Sequence, residues 1–174
     1  MRCSMSFVSR SVTMRRIGCM RLSVLIFCAL VTGCGDTPPP CSSEGDGRTA
    51  PSAGCLVREG DAALLVRSWL GEWALPGGSV KPGESASCGA EREVFEETGI
   101  AVTATQLATV FDNGFHLYWC DAAANASPRI HRPLEVREVA WQRPDVLGDE
   151  EWRYPGQGLL ISELLVDAEY STKD

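Results

Sequence analysis

Residues 78–100 read GSVKPGESASCGAEREVFEETGI, and this stretch decides the fold. Gly83 and the polar pair Glu84-Ser85 open a helix. The run SASCGAEREVFEET has helix-compatible spacing, with Ala90, Val94 and Phe95 as the expected buried contacts, and Gly99 closes it as a C-terminal cap. On that helix Glu93, Glu96 and Glu97 stand at i, i+3 and i+4, so one turn sets three carboxylates on one face. Like charges at this spacing destabilise a helix by roughly 0.2–0.5 kcal/mol per pair, and Arg92 is the only basic residue within it. A hard divalent cation resolves the repulsion. Magnesium, with its oxygen ligands and retained waters, suits a small carboxylate cluster acting on phosphates. Just upstream, Pro76-Gly77-Gly78 lets the backbone turn tightly and approach a ligand, and a carbonyl there would complete a metal shell. The intervening loop brings Glu84 back to pair with Arg92. For a lone Glu-Glu pair a solvated helix face would be the better reading.

Working outward, apolar runs at 53–58 and 62–67 flank the turn signal Glu59-Gly60-Asp61, which suits a hairpin. The stretch 71–85, GEWALPGGSVKPGES, reads as turns. Residues 102–111 and 115–120 form a second expected hairpin around Asp112-Asn113-Gly114. Residues 134–141 alternate like a strand, and 158–166 (GLLISELLV) read as a C-terminal helix over one face of the sheet. Strands and helices mixed in this order imply an α/β or α+β layered domain, without internal repeats or a second domain.

The N-terminal third has a different character. Five arginines and no acidic residue occupy positions 1–33; without them, 11 basic residues face 23 acidic ones, a net charge of −12. Such a surface repels polyanions, which argues against a nucleic-acid polymer as partner. The apolar run 22–31 (LSVLIFCALV) is too short for a span of about 20 residues and reads as a signal-peptide core. Val31-Thr32-Gly33-Cys34 resembles a bacterial lipobox, with a chance cleavage site before an unmodified cysteine as the alternative. The expected organisation is a lipoprotein-type signal at 1–33, a Pro/Gly/Ser-rich tether at 34–52 anchored to a membrane through lipidated Cys34, and a folded domain at 53–174 facing the periplasm. Met14 or Met20 would give a more compact signal than Met1. A cytoplasmic protein is the alternative to export.

Export changes the meaning of Cys41, Cys55, Cys88 and Cys120, an even set in a compartment that permits disulfides. Three full pairings are open, and so is the reading of Cys55 and Cys120 as buried thiols. No CxxC pair or Cys/His cluster suggests zinc.

The complete pattern, Gly78, Glu84, Arg92, Glu93, Val94, Glu96, Glu97, Gly99 and Ile100, matches the Nudix box at every defined position. Trp73-Ala74-Leu75-Pro76-Gly77-Gly78 resembles the family's usual entry to the box, and 135–141 resembles the strand after its variable region. The resemblance implies an α/β/α sandwich with a mixed β-sheet and a loop-helix-loop that binds magnesium or manganese. It also implies hydrolysis of a diphosphate bond in a small nucleoside diphosphate-X type of substrate. Carried over by position, Glu93, Glu96 and Glu97 are metal ligands, with the Gly77 carbonyl a further one, while Arg92 and Glu84 orient the loop. The general base is Glu93 or, outside the box, Glu135.

Substrate choice lies elsewhere. Tyr118 stands near where some dinucleoside polyphosphate hydrolases place a tyrosine, but packing is the stronger reading of an aromatic on an alternating strand. Trp69, Trp73, Trp119 and Phe111 suit base stacking or core equally. A different class remains open: an exported ligand-sensing module of the same fold with little turnover. Such modules usually carry a damaged box, and this box is intact.

Overall fold

The computed structural model describes residues 37–42 and 45–171; the expected signal peptide and Cys34 lie outside the described residues. Eight strands and two helices follow in chain order: β1 (Ser52–Leu56), β2 (Arg58–Glu59), β3 (Ala62–Ser68), β4 (Trp73–Ala74), β5 (Gly77–Ser79), α1 (Ala86–Thr98), β6 (Val102–Val110), β7 (Phe115–Ala122), β8 (Val136–Gln142) and α2 (Gln157–Ser171). Short 3-10 turns at Pro144–Val146 and Asp149–Glu151 precede α2. Among the described residues no helix is long and apolar enough to cross a membrane.

The strands form two four-stranded sheets. One has the order β5-β1-β7-β6 and is mixed, because β1 and β7 run parallel. In the other, β8 pairs with β3 along one edge, which leaves β2 and β4 to share the opposite edge. Val57 links the sheets, its carbonyl accepting from the Leu64 N–H at 2.9 Å. Alternation along each strand sends successive side chains to opposite faces. Ala53, Cys55, Leu64 and Tyr118 therefore pack with Ala90 and Val94 of α1. Their neighbours Leu56, Leu65 and Leu117 pack with Ile161 and Leu165 of α2. The expected layering, helices on both sides of mixed strands, is what forms. Leu56, Leu64, Leu65, Leu117 and Ile161 are fully buried, each contributing roughly 1.5–3 kcal/mol.

Local chemistry sets the boundaries of α1. The Ser85 hydroxyl accepts the Cys88 N–H at 3.3 Å, and Gly99, at φ 69°, caps the far end through its N–H to the Phe95 carbonyl. The second expected hairpin forms, with Gly114 in the left-handed region of its turn. Of the first, only the tip forms: Arg58 and Glu59 pair with Ala63 and Ala62 around Gly60, while 52–56 leaves to pair with β5 and β7 in the other sheet. The stretch expected as turns carries two short strands instead. β5 pairs with β1 through Gly54 and Gly77, and a Cβ on Gly54 would lie 2.5 Å from the Pro76 carbonyl oxygen. Only bare backbone fits at that crossing, so the residues that make this strand are those with the poorest strand propensity.

The expected tether also differs. From Cys41 on it is bonded to the domain, and Ser52 already belongs to β1. Cys41 and Cys88 form a disulfide, the Ser42 N–H and hydroxyl both donate to buried Glu91, and the Arg48 carbonyl accepts the Ala86 N–H. These attachments are polar and covalent, which is why apolar periodicity gave no sign of them. The second disulfide joins Cys55 on β1 to Cys120 on β7, so neither is a buried thiol.

Replacing Cys55 and Cys120 together by alanine is expected to lower stability by about 2–4 kcal/mol, read as a lower urea midpoint, with a steeper slope as the unbridged unfolded chain exposes more surface. Identical midpoints for the double-alanine variant and the oxidised wild type would show that the bridge contributes nothing.

Candidate active site

Arg92 organises the polar face of α1. Its guanidinium takes both oxygens of Glu84 at 2.8 and 3.0 Å, the Ser79 carbonyl at 2.7 Å, Glu93 at 2.7 Å and Glu96 at 3.1 Å. The fork onto Glu84 is the bidentate geometry that arginine favours, and it fastens the 79–85 loop to the helix as the sequence suggested. The hydrogen bond from Arg92 holds the Glu84 carboxyl below its usual range, and Glu84 in return raises Arg92. Glu84 and Arg92 thus brace the site from behind.

The three box carboxylates have unequal surroundings. Glu93 is almost fully buried, one oxygen on Arg92 and the other 3.3 Å from Arg132. Glu96 meets Arg92, Arg132 and, at 3.6 Å, Lys81. Among the described residues Glu97 accepts one hydrogen bond, from the Gly77 N–H at 2.9 Å. Burial pushes its carboxyl up to about 8, with the charges of Glu93 and Glu135 adding to the effect and the Gly77 N–H opposing it. Gly78 makes room for Glu93: a Cβ there would lie 2.7 Å from the carboxylate carbon.

A cleft of about 1160 Å³ opens over this face. Gly77, Gly78, Glu93, Glu97 and Glu135 lie on its floor and near wall, and Phe111, Asn113 and Tyr154 contribute elsewhere to the lining. Glu135, an expected base, is well exposed and 3.2 Å from Arg132. Among the described residues, no group of three acidic, His or Cys side chains converges closely enough to grip an ion as placed. The physical reason is local: Glu93 and Glu96 are turned onto guanidinium groups and Glu97 onto a backbone amide. The donors are nonetheless all hard oxygens on one helical turn, beside glycines that leave space, which is the chemistry magnesium or manganese requires.

Arg132 is the site residue that sequence reasoning missed. It lies in the loop before β8, far from the box and without periodicity, and no local signal marks it. Of the expected aromatics, Phe111 lines the cleft, while Trp73 and Trp119 belong to the α2-side core. Trp69 is exposed and donates its indole N–H to the Pro133 carbonyl. Tyr118 is buried in the α1-side core with its hydroxyl donating to Asp46 at 2.6 Å, which supports the packing reading.

A model of the NUDIX domain matches residues 48–163. A MutT-like protein of Streptomyces ambofaciens is 44% identical over 103 residues, 56% of this chain and 65% of that one, so the match spans just under two thirds of that relative. A Nudix hydrolase of Rhodococcus erythropolis is 32% identical over 140 residues, 64% of this chain and 75% of that one. Among solved structures, a NUDIX hydrolase from Nitrosomonas europaea gives a TM-score of 0.59 at 17% identity, over 71% of this chain and 73% of that one. A UDP-X diphosphatase gives 0.57 at 19% identity, over 74% and 68%. These last two likenesses are of fold.

Because the folded-state acid of Glu97 lies above its usual value, the metal-free fold retains a proton that the unfolded chain loses. The associated stability is complete below about pH 4.5 and disappears as pH rises to about 8. In EDTA the thermal midpoint of the wild type is expected to fall across that window more steeply than that of Glu97→Gln, whose amide oxygen still accepts the Gly77 N–H. Parallel curves would remove the buried proton from the account.

Proposed function

Because the chain belongs to the NUDIX domain family, we propose that it is a divalent-metal-dependent pyrophosphohydrolase that cleaves the diphosphate bond of a small nucleoside diphosphate-X compound. The observation that carries this reading is the intact carboxylate turn, Glu93, Glu96 and Glu97, braced by Arg92 and Glu84, with Glu93 and Glu97 lining a cleft beside Gly77 and Gly78.

Glu93, Glu96 and Glu97 would hold magnesium or manganese, and the Gly77 carbonyl would be a further donor. Bound there, the ion would neutralise the diphosphate and lower the pKa of the attacking water. The chain's own residues do the rest. Gly78 keeps the floor low enough for Glu93, and the Arg92 fork fixes the carboxylates so that they need not reorganise during reaction. Glu135 is better placed than Glu93 to take the proton of the attacking water: it is exposed in the cleft and bound only by Arg132 among the described residues, whereas Glu93 is buried between two arginines. The new P–O bond forms from water, the bridging P–O bond breaks, and two phosphorylated products leave.

The proposed setting is outside the cytoplasm, on a membrane anchor at Cys34. Support comes from the apolar run 22–31 followed by Val31-Thr32-Gly33-Cys34, and from two disulfides, which persist in oxidising compartments. Export would separate the enzyme from the replication pool, so oxidised nucleoside triphosphates fit less well than nucleotide-sugar, dinucleotide or ADP-ribose-like compounds.

On a panel of such diphosphates with magnesium or manganese, the wild type is expected to release two phosphorylated products. Glu96→Gln should lower turnover at least about a hundredfold, the loss expected when several kcal/mol of charge stabilisation disappear. A wild type inert across the panel would favour a ligand-sensing module. Metabolic labelling with palmitate should mark the wild type and not Cys34→Ser; unlabelled, cytosolic wild type would overturn the export reading.

A further inference from the structure

We infer that Arg132 is a built-in counter-cation of the carboxylate cluster, one that the divalent metal must displace, so that loading the site exchanges one cation for another. The inference rests on the metal-dependent reading of the site.

Two arginines neutralise Glu93 and Glu96, and they are held in different ways. Arg92 is only 10% exposed, is fastened to Glu84 and the Ser79 carbonyl, and does not line the cleft. It cannot leave without releasing the loop. Arg132 is one-third exposed and does line the cleft, and among the described residues its side chain bonds to acidic groups of the site: Glu93 at 3.3 Å, Glu96, and Glu135 at 3.2 Å. Among the described residues no backbone carbonyl or scaffold residue retains its guanidinium.

The base of this arm is fixed. The Arg129 N–H donates to the Thr98 carbonyl at 2.9 Å and the His131 N–H to the Glu97 carbonyl at 3.3 Å, which ties the loop to the last turn of α1. The Arg132 carbonyl then accepts the Val136 N–H at 2.8 Å as β8 begins. A long side chain on an immobile backbone is free to exchange partners while its neighbours stay in place.

Electrostatics requires the exchange. Glu93 and Glu96 need compensating charge in either state, and in the metal-free protein Arg132 supplies it from the cleft side while Arg92 supplies it from behind. A dication on the same oxygens would repel the guanidinium at close range, so the two cannot share them. An ion entering from the cleft meets Arg132 first, because Arg92 lies behind. The arrangement would keep the metal-free fold intact and weaken metal binding by the cost of removing the arm.

Titration of Mn²⁺ into metal-free protein, followed by loss of the free-ion EPR signal, reads this without turnover. Arg132→Gln is expected to bind Mn²⁺ about tenfold more tightly than the wild type, the order produced by removing one unit charge beside a partly buried ion. Its thermal midpoint in EDTA should be lower and its gain on adding Mn²⁺ larger. Arg132→Lys, which keeps the charge but not the fork, should fall between, and it serves as the comparison if the glutamine variant does not fold. Equal or weaker binding in the variant, with the wild type binding normally, would overturn the exchange and leave the proposed function standing. Absence of Mn²⁺ binding in wild type and variants alike would overturn both.

Discussion

Three carboxylates within one helical turn repel one another, and most of the polar architecture follows from that constraint. Arg92 answers it from behind the helix and uses the same guanidinium to fasten the 79–85 loop, so the charge that steadies Glu93 and Glu96 also fixes the approach of the backbone at the cleft floor. Arg132 answers it from the cleft side. Without such compensation, burying Glu93 to 6% exposure would carry the penalty of an unpaired charge.

The acids of the helix differ in what they hold. Glu91 is as buried as Glu93 but faces away from the cleft, where it accepts the Ser42 N–H, the Ser42 hydroxyl and the Ala104 N–H. These fixed donors anchor the N-terminal segment and β6 to it. Among the described residues Glu97 has one backbone donor, and burial, with the charges of Glu93 and Glu135, pushes its carboxyl up. A single helix thus presents a structural acid to the N-terminal segment and reactive acids to the cleft.

What was legible in the sequence was what depends on local chemistry. The caps of α1, both glycine turns, the layered α/β arrangement and the Glu84–Arg92 pair follow from residues close together in the chain. Contacts made over long separations were opaque. Arg132 reaches Glu93 across 39 positions, and Ser42 reaches Glu91 across 49. β5 was hidden for another reason: Gly54 and Gly77 pair because they lack side chains, and propensity scores that absence against a strand. The disulfide pairing required the parallel neighbourhood of β1 and β7, which no spacing of cysteines reveals.

The two bridges interleave, since Cys55 lies inside the loop closed by Cys41 and Cys88, and Cys88 lies inside the loop closed by Cys55 and Cys120. A single backbone cut anywhere between Cys41 and Cys120, including at the protruding Trp69-Leu70 turn, therefore leaves two pieces that remain covalently joined. That protection stops at Cys120. The later loop that carries Arg132 and Leu134, the latter 92% exposed, has no bridge across it, and a cut there would sever β8 and α2 from the box. In a protease-rich environment, the strip beside the cleft would be the place where the chain is vulnerable.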